Sequence, residues 1–201
     1  MKIALVLAHP SETSFCRALA DACAEALSAA GAEVLLRDLY ALDFDPRLPR
    51  EELPTASGSV ARADVVEERA LLADVDGFLL VYPFWFNAPP AMLKGYVDRV
   101  LSGGFGFQPT AHGADPLLVG RTLASVTTSG APDAWVESTG VLNTLIKSFD
   151  LHICNMTGLR FAGHDHIGGV GPEVSETFVA DRLAQARTFV ARALLEDADS
   201  D

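Results

Sequence analysis

The sequence predicts a doubly wound α/β domain built on a five-stranded parallel sheet in the order 2-1-3-4-5. Three observations lead there. Short apolar runs of strand length recur five times and alternate with stretches whose apolar residues fall at three-and-four spacing. The first run, Ile3–Ala8, is apolar on both faces, as a central parallel strand must be. Hydrophobic residues make up 49% of the chain and the mean hydropathy is +0.23, which suits a sheet covered on both sides. At 201 residues, the chain is expected to be a single domain over residues 1–201. It carries an irregular excursion at about 41–60 and a frayed acidic C-terminus.

Each element has its own warrant. Ile3–Ala8 runs into a hydroxyl-rich turn, His9-Pro10-Ser11-Glu12-Thr13-Ser14, in which Ser14 is placed to cap a helix. That helix is expected to reach about Ala30, with Phe15, Leu19, Cys23, Ala26, Leu27 and Ala30 inward, and Gly31 ends it. Glu33–Tyr40 is a more amphipathic strand, hence nearer an edge. Pro46, Pro49, Pro54 and Ser57-Gly58-Ser59 mark the excursion, a loop without its own core. A helix over about 61–73 returns the chain to the apolar strand Asp76–Tyr82.

There the chain crosses a Pro-bounded aromatic loop, Pro83-Phe84-Trp85-Phe86-Asn87-Ala88. Pro89-Pro90 opens a helix whose Leu93, Tyr96, Val97, Val100 and Leu101 share a face, and Gly103-Gly104 stops it. Thr110–Gly120 is expected to be a loop and Arg121–Thr128 the fourth strand. A helix follows over about Val141–Asn155, then a short fifth strand, Leu159–Gly163. His164–Pro172 reads as a Gly-rich loop and Val174–Leu195 as the last helix.

Charge narrows the function. Fifteen basic residues against 27 acidic ones give a net charge of -12. No basic stripe exists to meet nucleic acid or an anionic membrane, so no nucleic-acid partner is expected. No segment approaches the length of a membrane span and no signal-peptide core is visible, so a soluble cytoplasmic protein, not membrane-embedded, is expected. Cys16, Cys23 and Cys154 are odd in number and lack metal-ligand spacing. Cys16 and Cys23 are seven apart on one helix face, which suggests buried thiols in a reducing compartment. His164-x-His166 has metal-like spacing, but no Cys, Asp or Glu converges on it, so a polar loop and no metal are expected.

Strands one, three and four each end in an unusual loop, and in this strand order their carboxyl ends are neighbours at the switch point where ligands bind. The first loop, with Ser11, Thr13, Ser14 and a helix N-terminus, suits phosphate; helix capping alone accounts for Ser14 but not for His9 or the other hydroxyls. The second offers flat aromatic surface, and packing into the core is the competing explanation for it. The third, Thr127-Thr128-Ser129-Gly130, offers hydroxyls and backbone N–H groups. Together these are the parts of a flavin site.

Leu5-Val6-Leu7-Ala8-His9-Pro10-Ser11-Glu12-Thr13-Ser14-Phe15 resembles the first phosphate loop of the NAD(P)H:quinone oxidoreductases, which have a flavodoxin-like fold. Ala91–Val100 is similar to that family's P-A-x-L-K-G-W-x-[DE]-R-V helix, Gly104-Phe105-Gly106-Phe107 to its aromatic turn, and Thr127–Gly130 to its T-T-G-G loop. The four motifs stand in family order and cover most of the chain to about residue 165. The resemblance implies two-electron, ping-pong transfer of hydride from NAD(P)H through a flavin to a quinone or similar acceptor, in a homodimer with shared active sites. It implies that His9, Thr13, Ser14, Phe15 and Cys16 line the phosphates and ribityl chain, and that Pro83, Phe84, Trp85, Phe86 and Asn87 pack along the ring. Thr127, Thr128, Ser129 and Gly130 would bond the pyrimidine side, while Phe105 and Phe107 would wall the acceptor pocket. The excursion resembles that of FAD-binding members, which implies FAD, with FMN as the alternative.

Four departures matter. Cys16 stands where the family often has Asn, and Ser129 replaces the first Gly of T-T-G-G. The Tyr and His proposed to handle the proton in the better-known animal members fall here on Trp135 and Val141. Trp135, as catalytic residue, would then donate an N–H to the reduced flavin, but indole cannot relay a proton. The chain also lacks those enzymes' C-terminal extension and resembles the compact bacterial type. His152 is expected to be structural, and His112 lies within reach of the acceptor pocket. Two other roles compete with the enzyme: a flavoprotein regulatory subunit of a glutathione-gated potassium efflux system, and a flavodoxin-type electron carrier.

Overall fold

The computed structural model describes residues 1–53 and 60–195. β1 (Lys2–Leu7) leads into α1 (Phe15–Ala29), β2 (Glu33–Asp38), α2 (Ala63–Leu71), β3 (Gly77–Pro83) and α3 (Ala91–Val100). A small antiparallel ribbon follows, β4 (Phe107–Thr110) with β5 (Gly113–Pro116). Then come β6 (Thr122–Thr128), α4 (Asp133–Thr139), α5 (Val141–Leu145), a π-helical turn over Ile146–Asp150, and α6 (Leu151–Thr157). β7 (Arg160–Ile167) and α7 (Glu176–Leu195) complete the chain. The five long strands form one parallel sheet in the order β2-β1-β3-β6-β7, the predicted 2-1-3-4-5 with the ribbon left out of the count.

Central strands must be apolar on both faces, and every residue of β3 is buried. Two cores result. Phe78, Leu80, Tyr82 and Phe84 of the β3 segment face α3 and α6, while Leu79 and Val81 face α1 and α7. β2 lies at the edge of the sheet, as expected, but is not two-faced: its exposed residues, Glu33 and Leu36, fall on opposite faces and the other four are half-buried.

Three boundaries differ from expectation. The stretch Thr110–Gly120 is not all loop, because β4 and β5 pair across it. The helix expected over Val141–Asn155 is broken by the π-helical turn, and α4 precedes it on residues that carry no strong apolar period; Gly140, at φ 68°, separates α4 from α5. β7 runs four residues past Gly163, so His164 and His166 lie in a strand and not in a Gly-rich loop. The glycine at 163 adopts φ 132° beside a register shift, a bulge that sequence periodicity cannot see through.

The excursion is held down although it lacks a core. Phe44 is buried against Tyr96 at a centroid distance of 5.2 Å. The fully buried Arg99 of α3 donates to Glu52, to Asp64 at the start of α2, and to the Asp45 carbonyl. Pro54, Ser57-Gly58-Ser59 and the acidic end, residues 196–201, lie outside the described residues.

Candidate functional site

Three strand ends meet at the carboxyl edge of the sheet, where β1 and β6 flank β3. The loop after β1 reaches the loop after β3 through His9, whose ring centroid lies 5.9 Å from that of Trp85. The loop after β3 is tied to the end of β6 by the Phe84 N–H, which donates to the Thr128 carbonyl at 2.7 Å. The first turn of α1 closes the triangle, with Cys16 Sγ 3.3 Å from Thr128 Oγ1 in a buried contact.

Each corner has its own chemistry. Ser14 caps α1 by accepting the Arg17 N–H at 3.1 Å, which leaves the N–H groups of Phe15 and Cys16 without an intrahelical acceptor. No acidic side chain stands in that first turn to neutralise the positive dipole end. His9 Nδ1 accepts the Ser11 N–H at 3.0 Å, and burial pushes the imidazole below its usual range, so the ring is neutral. Ser11 and Thr13 hydroxyls lie 3.2 Å apart at the surface. An anionic group fits this donor set.

The aromatic corner is a tight turn. Trp85 and Ala88 exchange backbone bonds of 3.1 and 3.2 Å around Phe86 and Asn87, whose φ angles are 52° and 57°. Two successive positive φ values mark a type I′ turn. Asn tolerates that geometry; for Phe it costs about 1–2 kcal/mol. The turn projects Phe86 fully into solvent and leaves Trp85 42% exposed, while Phe84 is buried beneath them. A flat ring system fits against such a surface.

The third corner continues inward as a hydrogen-bonded chain. Pairing in register sets Ser125 beside His164 and Thr127 beside His166. Because a strand has period two, Ser125, Thr127, Ser129, His164 and His166 all face the same side. Asp150, delivered by the π-helical turn and fully buried, accepts from Ser125 Oγ at 2.6 Å and meets His164 Nδ1 at 2.8 Å. His164 Nε2 lies 2.7 Å from Thr127 Oγ1, which lies 2.9 Å from His166 Nδ1. His166 Nε2 lies 3.0 Å from Ser129 Oγ, and the chain ends at the loop. Burial, and then the neighbouring His164, hold His166 down to about 4.

Thus His9, Thr13, Ser14, Cys16, Pro83, Phe84, Trp85, Phe86, Asn87, Thr128, Ser129 and Gly130 stand around one sheet edge. Gly130 is open, since an added Cβ would meet only the Val170 carbonyl, at 3.7 Å. The Phe15 ring turns away toward Phe178 of α7, at 6.3 Å, so only its backbone serves the corner. The Thr127 hydroxyl is buried between the two histidines. Trp135 stands half exposed on the first turn of α4, next to the third loop. Burial pushes the thiols of Cys16 to about 11 and of Cys23 and Cys154 to about 12, so none is a nucleophile at neutral pH.

Phe105 and Phe107 are not with the others. They follow α3, which runs back along the sheet, and they sit beside Arg69 at the end of α2 and near Thr157 just before β7. That is the amino edge, about 20 Å from the loops by strand rise. Phe107 there lines a cavity of about 230 Å³ between α3 and α6, together with His152 and Met156. His112 is exposed in the turn of the ribbon. His164, His166, Asp150 and Ser125 were missed as site residues. The alternation Ser125-x-Thr127-x-Ser129 opposite His164-x-His166 is the available signal for all of them but Asp150. Among the described residues, no group of three or more His, Cys, Asp or Glu is placed to hold a metal ion.

The model of the flavodoxin-like fold family matches residues 1–190. This chain belongs to that family. It is 36% identical over 161 residues to an uncharacterised NAD(P)H oxidoreductase of Haemophilus influenzae, covering 78% of this chain and 80% of the relative. It is 30% identical over 199 residues to NAD(P)H dehydrogenase [quinone] 1 of Cavia porcellus, covering 88% and 72%. Among solved structures, the NAD(P)H:quinone oxidoreductase from Methanothermobacter marburgensis matches with a TM-score of 0.80 at 26% identity, over 94% of this chain and 95% of that one. In a flavodoxin-like protein the ligand lies at the switch point beside the first strand, which is where the three contacts converge.

Proposed function

We propose that this chain is a flavin-dependent NAD(P)H:quinone oxidoreductase that works as a homodimer. The observation that carries the reading is the convergence of an anion-suited helix end, an aromatic turn and a donor loop through the His9–Trp85, Phe84–Thr128 and Cys16–Thr128 contacts. The relatives' names supply the substrates. The net reaction converts NAD(P)H, a quinone and one proton into NAD(P)⁺ and the hydroquinone. A flavin held at this edge would supply the two-electron hydride chemistry between nicotinamide and acceptor.

The chain's own residues bind and orient. The N–H groups of Phe15 and Cys16, with Thr13, Ser14 and His9, hold phosphate. Trp85 and Phe86 offer the apolar face, and the backbone of Asn87, Ser129 and Gly130 offers donors to the ring edge. Trp135 donates an N–H toward the oxygen where negative charge develops. FAD is favoured over FMN by the excursion's resemblance to that of FAD-binding members. Neither the efflux-system subunit nor the electron carrier is favoured by the relatives named above.

Phe105 and Phe107 lie a sheet length from the loops of their own chain, so a second copy is needed to wall the acceptor pocket with them. A cytoplasmic location suits the three buried free cysteines. The visible spectrum of the purified protein, before and after NADH or NADPH and then a soluble quinone, tests the reading. A flavin band bleached by nucleotide and restored by quinone is expected; no band, or a band that nucleotide leaves unbleached, overturns it.

A further inference from the structure

The proposed reaction consumes one proton per turnover, and neither position where the resemblance sets an ionising residue carries one: Trp135 and Val141 stand there. The hydrogen-bonded chain from Asp150 to Ser129 contains two imidazoles and ends in the loop that follows β6.

Two arrangements of the hydrogens run unbroken from His164 to Ser129, with Thr127 donating to an imidazole and not to the Asp165 carbonyl 3.5 Å away. In both, His164 Nδ1–H donates to Asp150, because a carboxylate only accepts. In the first, Thr127 donates its hydroxyl to His164 Nε2, His166 Nδ1–H donates to Thr127, and Ser129 donates to His166 Nε2. In the second, every bond from His164 Nε2 to Ser129 points the other way. His164 Nε2–H donates to Thr127, Thr127 to His166 Nδ1, and His166 Nε2–H to Ser129, whose hydroxyl then turns to the Ala131 carbonyl 2.9 Å away. The second holds one more proton than the first. Its positive charge rests on His164, fully buried against the Asp150 carboxylate, where it forms a neutral pair.

We propose that Asp150, His164, Thr127, His166 and Ser129 form a proton relay that stores one proton on His164 and delivers it at Ser129 Oγ to the reacting site. The inference rests on the quinone-reductase reading for the destination of the proton. On discharge, Ser129 turns its hydroxyl from the Ala131 carbonyl and gives that proton to the quinone oxygen being reduced, His166 Nε2 replaces it, Thr127 passes its proton to His166 Nδ1, and His164 Nε2 passes its own to Thr127. Every atom between the ends regains its hydrogen, and the chain is left in the first arrangement. Water at the loop recharges it through the same path. His166, held down to about 4, does not retain the proton in passage. The half-buried His166 and the 8% exposed Ser129 are the only members toward the surface, whereas Ser125, Thr127 and Asp150 are fully buried.

Other charges and titratable groups bear on the chain from each neighbouring element. Tyr82 of β3 lies edge-on to His164 at 6.5 Å. Asp133 of α4 favours the protonated form of His166. Asp165 of β7 accepts from Gln185 of α7 at 2.7 Å and feels Arg182 of the same helix, while Cys154 of α6 lies near Asp150. None of these bridges the two imidazoles. Only Thr127 does.

Thr127 is therefore the place to cut. Side-chain nitrogen NMR of the flavin-free chain reads the tautomers directly. In the wild type and in Thr127→Ser, the resonances of His164 and His166 should shift together in one step as pH is varied. In Thr127→Val they should move independently. With flavin bound, Thr127→Val should lower the proton-dependent rate about 10²-fold and change its pH profile, with flavin content unchanged and Thr127→Ser restoring the rate. Fixed, independent tautomers in the wild type, or a Thr127→Val profile equal to wild type, would overturn the relay. Absence of flavin or of nucleotide oxidation in the wild type would instead overturn the reductase reading, while the NMR result on the flavin-free chain would still stand or fall by itself.

Discussion

A Cβ placed on Gly95 would lie 2.1 Å from the carbonyl oxygen of Pro46, so α3 and the excursion touch backbone to backbone. This gives the glycine of the Leu93-Lys94-Gly95 motif a packing reason, in the middle of a helix where Gly is otherwise unfavourable. Gly95→Ala gains helix propensity but forces the two backbones apart. It should lower stability by about 1–3 kcal/mol in urea unfolding, whereas the flavin retained per folded chain should not change.

Arg99 holds the same excursion by charge. Its guanidinium is wholly buried between Glu52 and Asp64, and removing it leaves carboxylates without their cation. Arg99→Met should destabilise by about 3–5 kcal/mol. The pH dependence has a definite sign. The bonds from Arg99 hold Asp64 below the usual carboxylate range; at Glu52 burial acts to raise the carboxyl, and Arg99 together with the Arg62 backbone N–H more than offsets it. Stability from both is full above about pH 4–4.5, the range of unfolded carboxylates, and is lost as pH falls below it through the folded values. Acid titrations of unfolding should show this slope in the wild type and a weaker one in Arg99→Met.

Phe86 combines a positive φ with full exposure, an expensive way to place a ring unless something covers it. Phe86→Gly should stabilise the flavin-free chain by about 1 kcal/mol, since Gly adopts φ 52° freely. It should also weaken flavin affinity about 2- to 10-fold, the worth of one aromatic contact. Thermal melts with and without flavin measure both; a variant equal to wild type in both would remove Phe86 from the site.

The sheet order, the three loops and nearly all their residues were legible because they rest on local signals: apolar period, Pro and Gly punctuation, and hydroxyls before a helix. His164 and His166 were not. Gly163 sits in a bulge, and a glycine followed by two histidines looks like a loop until β6 is set beside it. Asp150 was hidden by the π-helical turn, which rotates the helix face by a residue that 3.6-periodicity does not anticipate. Phe105 and Phe107 were legible as a motif but not as to edge, since chain direction after α3 decides that.

Their position at the amino edge makes complementation possible. Phe107→Ala should weaken quinone use with flavin still bound. A second variant, Ser14→Ala with Gly130→Val, should lose flavin. Mixed after unfolding and refolding together, the two should form heterodimers in which one of two sites is whole, restoring up to half the activity of a wild-type dimer. Activity no greater than the sum of the separate variants, in a sample shown by sedimentation to contain heterodimers, would place Phe107 outside the partner's site.

Trp135 separates donating a hydrogen bond from supplying a proton. Its indole N–H is a donor that never ionises, and it stands half exposed beside the third loop. Trp135→Phe removes that donor and keeps most of the ring. If it meets a developing charge, its loss should cost about 1.5–3 kcal/mol, roughly a 10- to 100-fold slower flavin reduction, with flavin still bound. The pH profile should keep its shape, because no titrating group has changed. Thr127→Val acts differently, since it changes the profile by cutting the path of the proton. Stopped-flow reduction across pH 5–9 with each variant and with both together distinguishes them. Independent roles predict that the two losses multiply; an unchanged rate in Trp135→Phe would leave Trp135 with no part in the chemistry.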